Sequence, residues 1–285
     1  MMHKNGNQQE SNNIDYQQDV LDKFDSRFQE VDLFFSLIDK FESTSPIQLI
    51  SVVDNIEYIT KNDLKISANV EETVRDILKK LKLETPDFDL IHIFRSSSVL
   101  LLYNLIESTV FNANKFILES ISNANILYSD ATPKIKKLWL EHVREHNKKQ
   151  HLDIAINLLD KTQTINISSE LQVNVSQKLF EGNVKVNVID KLLNSYGVQT
   201  MRNAMEKKQT ERDAIDNIVD LRNALAHGNA SFARLGRDKL RYNASKKEDR
   251  INDILFLKDS CFEFLQLLLT NIKEYIDNQS YRQFS

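Results

Sequence analysis

Residues 88–121 read FDLIHIFRSSSVLLLYNLIESTVFNANKFILESI, and this stretch decides the fold. On a helical wheel its apolar residues are spread around most of the circumference, with the densest run at residues 99–106. A helix that is apolar on nearly every side packs in the interior of a bundle, because water would otherwise contact its apolar surface. We therefore expect residues 88–121 to form the central helix of a helical bundle.

The remaining sequence is typical of long helices joined by polar loops. The chain has 285 residues but only 5 glycines and 3 prolines, whereas folds rich in sheet need frequent turns, in which these two residues are common. The sequence therefore predicts an all-α fold, a multi-helix bundle, with a small β-hairpin or an ordered loop near residues 162–180. Further helices are expected at residues 15–42, 46–60, 69–83, 134–159, 184–196, 213–226 and 248–276.

The domain organisation follows from composition. Residues 1–13 are polar and rich in Asn and Gln, so we expect a disordered N-terminal tail. No linker rich in Pro, Gly or Ser interrupts the rest of the chain, and residues 14–280 are expected to form a single elongated helical domain.

Composition and charge exclude several classes of protein. The net charge of −4 argues against a protein that coats nucleic acid through a uniformly basic surface. The single cysteine, Cys261, rules out an intramolecular disulfide and a cysteine-rich zinc site. No stretch resembles a signal peptide or a membrane span, so we expect a cytoplasmic protein without a membrane partner. No cofactor is expected.

The motif that carries chemistry lies at residues 220–229, DLRNALAHGN, at the end of a predicted helix. Asn223 and His227 lie within about 40° of each other on a helical wheel, whereas Arg222 and His227 are about 140° apart. Arg222 falls instead within the apolar stripe, where a guanidinium is costly unless a carboxylate or an anion meets it. Glu107, which lies among apolar residues of the predicted central helix, is the expected partner, or else it brackets the same phosphate site as Arg222.

His227 is expected at the C-terminal end of its helix, directly before Gly228. Histidine transfers protons near neutral pH, and arginine compensates the charge that develops on phosphate oxygens. The pair of Arg222 and His227 therefore suits phosphoryl transfer. The residues alone are also compatible with a non-catalytic role, in which the arginine is structural and the histidine simply ends the helix.

The pattern Arg222-Asn223-x-x-x-His227 resembles the Arg-x4-His signature of the HEPN superfamily, in which Asn commonly follows the Arg. Residues 94–109, FRSSSVLLLYNLIEST, resemble the central helix of stand-alone bacterial HEPN nucleases.

Two further blocks are similar to that branch. One is Gly182-Asn183 followed by a helix that ends in Tyr196-Gly197, and the other is LAHGNASF at residues 225–232. The resemblance covers roughly residues 15–280 in the same block order, with a poor match at residues 122–170.

The resemblance implies metal-independent cleavage of RNA, in which the ribose 2′-hydroxyl attacks the adjacent phosphate and leaves a 2′,3′-cyclic phosphate and a 5′-hydroxyl. His227 would act as acid and base, Arg222 would stabilise the transition state, and Asn223 would position the phosphate or the histidine. The supporting residues would be Glu107, Tyr103 and Asn104.

The resemblance also implies a homodimer in which two motifs face one composite cleft. Many such proteins are toxins or antiviral defence effectors that cut tRNA or mRNA, so an antitoxin or a defence-system partner is expected. A HEPN-like bundle that serves only as an RNA- or protein-binding module remains an alternative.

A second motif, His142-Val-Arg-Glu145-His146, fits the zinc-binding helix pattern His-x-x-Glu-His. The surrounding residues 134–149 are rich in Lys and Arg, which is unfavourable for a divalent cation, so no metal site is expected. This stretch could instead be an RNA-facing basic patch with Trp139 as a stacking ring, or a plain charged helix face.

A third cluster of charge follows the motif directly. Its basic side chains are candidates for RNA binding, on a loop that lies over the active cleft, although nearby acidic residues dilute their charge. The four candidates are Arg234, Arg237, Lys239 and Arg241.

Overall fold

The computed structural model describes residues 5–43, 88–146, 164–165, 183–244 and 246–283. Within these ranges the regular structure is helical, and β-pairing is limited to isolated bridges, so the all-α prediction is confirmed. The α-helices are α1 (Asn5–Ser43), α2 (Phe88–Asn123), α3 (Pro133–His146), α4 (Val186–Tyr196), α5 (Met201–Ala204), α6 (Gln209–Ala226), α7 (Phe232–Asp238) and α8 (Ile254–Asp277). Two 3-10 helices span Tyr128–Asp130 and Lys247–Asn252.

The predicted central helix is present as α2, and the predicted end of α4 at Gly197 is also confirmed, since this glycine has a φ of 93°. Helix α1 begins at Asn5, within the segment expected to be a tail. An existing helix extends readily into polar residues, because each added residue contributes a further backbone hydrogen bond. The helix predicted over 248–276 begins instead at Ile254, because residues 247–252 form a 3-10 turn.

Several predictions lie outside the described residues. These are the helices at 46–60 and 69–83, the second half of the helix at 134–159, and all of the segment 162–180 except Thr164 and Ile165. Within the described ranges, no helix is both long enough and apolar enough to cross a lipid bilayer.

The chain divides into two compact units. Unit 1 comprises Met1–Phe28, Tyr103–Val219 and Asp259–Ser285, and unit 2 comprises Gln29–Leu102 and Asp220–Lys258. The expectation of a single elongated domain over residues 14–280 stays a prediction.

Unit 1 has a core built on the second half of α2. Leu105, Ile106 and Ile117 are at most 1% exposed there. Two tyrosines satisfy polar groups inside this core: the Tyr196 hydroxyl donates to Asn114 Oδ1 at 2.7 Å, and the Tyr275 hydroxyl donates to the Tyr196 carbonyl at 2.8 Å. A buried polar group costs free energy unless it is hydrogen-bonded, so these contacts fix how the aromatic rings pack.

Cys261 on α8 is fully buried in unit 1. Burial raises the pKa of its thiol, because the apolar surroundings disfavour the charged thiolate. The thiol therefore behaves as a small apolar core group rather than as a nucleophile.

Unit 2 is organised by the close approach of α7 to the first half of α2. The Ser96 hydroxyl of α2 donates to the Phe232 carbonyl of α7 at 2.7 Å. A Cβ placed on Gly236 would lie 2.0 Å from the His92 carbonyl oxygen, so only glycine permits this distance between the two backbones. Arg95 of α2 also forms a bidentate ion pair with Glu42 of α1, with N–O distances of 2.6 and 2.8 Å.

We expect Gly236→Ala to lower the free energy of unfolding by at least about 1–3 kcal/mol, the usual cost of overpacking. The added methyl group would meet backbone atoms of His92, which cannot rotate away as a side chain can. Urea denaturation followed by circular dichroism measures the change.

Gly228→Ala is the matched control for this substitution. Its Cβ would meet nothing within 4 Å, so only the strain of a φ of 68° remains, at a cost of about 1 kcal/mol. If Gly236→Ala were as stable as the parent, the close contact between α7 and α2 would be contradicted.

Candidate active site

Helix α6 carries the predicted motif, and its C-terminal end has a defined geometry. The Gly228 amide donates to the Leu225 carbonyl at 3.1 Å, and the Asn229 amide donates to the Ala224 carbonyl at 3.0 Å. Together with the φ of 68° at Gly228, this pair of bonds forms a Schellman motif. His227 therefore lies at the C-terminal end of α6, as the sequence predicted, and it is exposed.

Arg222 lies one turn earlier and is half-buried. Its Nη1 donates to Asn223 Oδ1 at 3.1 Å. The backbone carbonyl of Asn223 accepts the amide of His227 at 3.0 Å. Asn223 therefore contacts the guanidinium through its side chain and holds the histidine backbone through its carbonyl.

Glu107, Tyr103 and Asn104 lie on α2 in unit 1. Tyr103 is 1% exposed, and its hydroxyl donates to Glu107 Oε1 at 3.2 Å. Glu107 is half-buried, whereas Asn104 is exposed. The expected approach of Glu107 to Arg222, and the supporting role of these three residues, stay predictions.

The basic residues that follow the motif are exposed, and two of them, Arg234 and Arg237, lie on α7 rather than on the expected loop. Ser231 caps α7 by accepting the Arg234 amide at 3.3 Å, a signal that was readable in the sequence. Arg234 Nε and Arg237 Nε each lie 3.4 Å from an oxygen of Asp238. Exposed ion pairs of this kind contribute little stability, so both guanidinium groups can turn towards another anion.

Lys239 and Arg241 complete that cluster and are also exposed. Arg241 Nη1 donates to the carbonyls of Arg237, at 3.2 Å, and Leu240, at 3.0 Å. Its guanidinium is thus held against the C-terminal end of α7, while Lys239 extends into solvent.

The suggested role of Trp139 as a stacking ring is wrong. Trp139 is 2% exposed, and its ring packs against that of Tyr128 with 5.5 Å between the centroids. Periodicity alone could not place it, because α3 also carries apolar residues on its exposed side.

The zinc pattern at His142 and His146 falls at the end of α3, where the side chains lie outside the described residues. In the part of the chain that the structure describes, no three His, Cys, Asp or Glu side chains are grouped as metal ligands would be.

Comparison with known proteins supports the resemblance seen in the sequence. The family model described as HEPN_MAE_28990-like HEPN matches residues 16–281. No curated protein and no solved structure matches the chain. HEPN membership points to a function of the ribonuclease or nucleotide-binding type. Because the match spans nearly all of the chain, the protein belongs to the HEPN_MAE_28990-like HEPN family.

Proposed function

We propose that this protein is a metal-independent endoribonuclease, with Arg222, Asn223 and His227 as its active-site residues. The observation that carries the proposal is the linkage through Asn223, which joins the guanidinium of Arg222 to the helix end that presents His227. An ordered cation and an exposed imidazole suit phosphoryl transfer to a ribose hydroxyl, because the imidazole can move protons and the cation can compensate charge on the phosphate oxygens.

The proposed reaction begins when the imidazole of His227 takes the proton of the ribose 2′-hydroxyl. The 2′-oxygen then forms a bond to phosphorus and the bond from phosphorus to the 5′-oxygen breaks. The departing oxygen takes up a proton, so the products are a 2′,3′-cyclic phosphate and a 5′-hydroxyl. Arg222 compensates the negative charge that develops on the non-bridging oxygens.

A homodimer fits this scheme for a chemical reason. One proton must leave the 2′-oxygen and another must reach the 5′-oxygen, and these atoms lie on opposite sides of the phosphorus. A second copy of the chain would bring a second His227, so that one imidazole serves as base and the other as acid. We further propose that the protein is a toxin or antiviral defence effector that cleaves tRNA or mRNA, and that a partner protein inhibits it.

His227→Asn keeps a polar side chain at the helix end but cannot transfer a proton at neutral pH. We expect cleavage of total RNA to fall by about 10²-fold or more, the usual contribution of a positioned acid or base. Wild-type protein in EDTA should retain its activity and should leave cyclic phosphate ends. Lys191→Ala, which changes an exposed residue of α4, is the control and should cleave at the wild-type rate.

Cleavage abolished by EDTA would contradict the metal-independent mechanism. Bound but intact RNA under every condition would support the non-catalytic binding module instead.

Arg222 and Asn223 are expected to act as a unit. Arg222→Lys retains the charge but loses the planar group that contacts Asn223, and Asn223→Ala removes that acceptor. Each single variant, and the double variant, should lose a similar amount of kcat/KM, because groups that act together are not additive. Losses that multiply in the double variant would show that the two residues work independently.

The proposed contact of Glu107 with Arg222 is tested by Glu107→Gln. Glutamine still accepts the hydrogen bond of Tyr103 but carries no charge, so the change isolates the ionic contribution. We expect both the free energy of unfolding and kcat/KM to fall, since Arg222 would lose its counter-charge. If Glu107→Gln matched the wild type in both, Arg222 would not depend on Glu107.

A further inference from the structure

A cleft in unit 1 lies beside the 3-10 turn Tyr128–Asp130 and the first half of α3. It has a volume of about 390 Å³, within the range of small-molecule sites. The surface is mostly apolar and carries two lysines and one carboxylate. The lining residues are Tyr128, Pro133, Lys136, Lys137, Leu140 and Glu141.

The aromatic wall of this cleft is Tyr128, which is half-buried. Trp139 packs behind it, with 5.5 Å between the ring centroids and 54° between the ring planes. Trp139 is 2% exposed, so it contacts Tyr128 from the interior, while Tyr128 itself lines the cleft. Leu140 is 40% exposed, which leaves apolar surface next to the aromatic ring.

The charged rim of the cleft is cationic in a chain whose net charge is −4. The Lys136 ammonium lies 5.5 Å from the centroid of the Tyr128 ring and donates to the Ser129 carbonyl at 3.0 Å. Lys137 is exposed. Lys134 donates to Asn194 Oδ1 at 2.7 Å, on the neighbouring helix α4.

We propose that this cleft is a nucleotide subsite for single-stranded RNA, in which a base stacks on Tyr128 and the backbone phosphate meets Lys137. A ring that is supported from behind and flanked by cations is the arrangement that binds unpaired nucleotides without sequence preference. Carboxylate side chains alone would satisfy the lysines but would place no ring against Tyr128. The subsite is separate in the chain from the His227 motif, and it rests on the proposed function only in taking RNA as its ligand.

The test measures binding without cleavage. The full chain carrying His227→Asn is titrated with a fluorescein-labelled 12-mer of uridine, and the change in anisotropy gives Kd. Tyr128→Leu should weaken binding by about fivefold to 100-fold, the range measured when a stacking ring is removed. Tyr128→Phe, which keeps the ring, should bind like the parent.

Lys137→Gln provides a second measurement that does not disturb the packing of Tyr128 on Trp139. Loss of one phosphate contact should reduce the slope of log Kd against log salt concentration by about 0.7, the value for a single strand. Since Lys137 is exposed, this variant should fold normally. It therefore tests the subsite even if Tyr128→Leu proves unstable.

Trp139 is the only tryptophan of the chain and contacts Tyr128, so its fluorescence reports on this cleft. Addition of unlabelled RNA should change the emission of the parent and of Tyr128→Phe.

The proposed subsite is contradicted if Lys137→Gln leaves both the Kd and the salt slope unchanged. It is also contradicted if polyglutamate of the same charge competes for the protein as well as unlabelled RNA does. Cleavage by the wild-type protein is measured separately. If the subsite proposal fails but the wild-type protein cleaves RNA, the proposed function is unaffected. If RNA binds at the subsite but is not cleaved, the subsite proposal is unaffected.

Discussion

The rest of the structure depends on one constraint, which is that a 36-residue helix with apolar residues around most of its circumference must be covered along its length. In unit 1 the second half of α2 is covered closely enough that Ile106 and Ile117 are fully buried. In unit 2 the first half receives α7, whose backbone comes so near that position 236 has no room for a side chain. Helix packing of this kind leaves little freedom in where the neighbouring segments lie.

The proposed reactive motif combines two environments that a single exposed helix face could not supply. Arg222 is half-buried, where its charge is less screened by water, whereas His227 is exposed and accessible to a substrate. Asn223 connects them through one side-chain and one backbone hydrogen bond. The proposed site can therefore include both the arginine and the histidine although they are about 140° apart on a helical wheel.

The sequence was most informative where long-range packing had little influence. The bounds of α2 and the helix ends at Gly197 and Gly228 were predictable, because apolar periodicity and left-handed glycines are local signals. Helix α7 was missed since only Leu235 and Gly236 of its seven residues are buried, which is too few for a periodic pattern. The burial of Trp139 depends on which side of α3 meets the core, and whether Glu107 meets Arg222 depends equally on how distant segments pack.

The Schellman ending of α6 is built from backbone bonds among residues 224–230 alone. The local conformation of the His227 backbone is therefore encoded by a short stretch of sequence. Mutations beyond Ser231 can change the charge and shape of the adjoining surface while that local conformation is preserved. Such modularity would let descendants of one ancestral protein change the molecules they recognise without rebuilding the helix end that carries the imidazole.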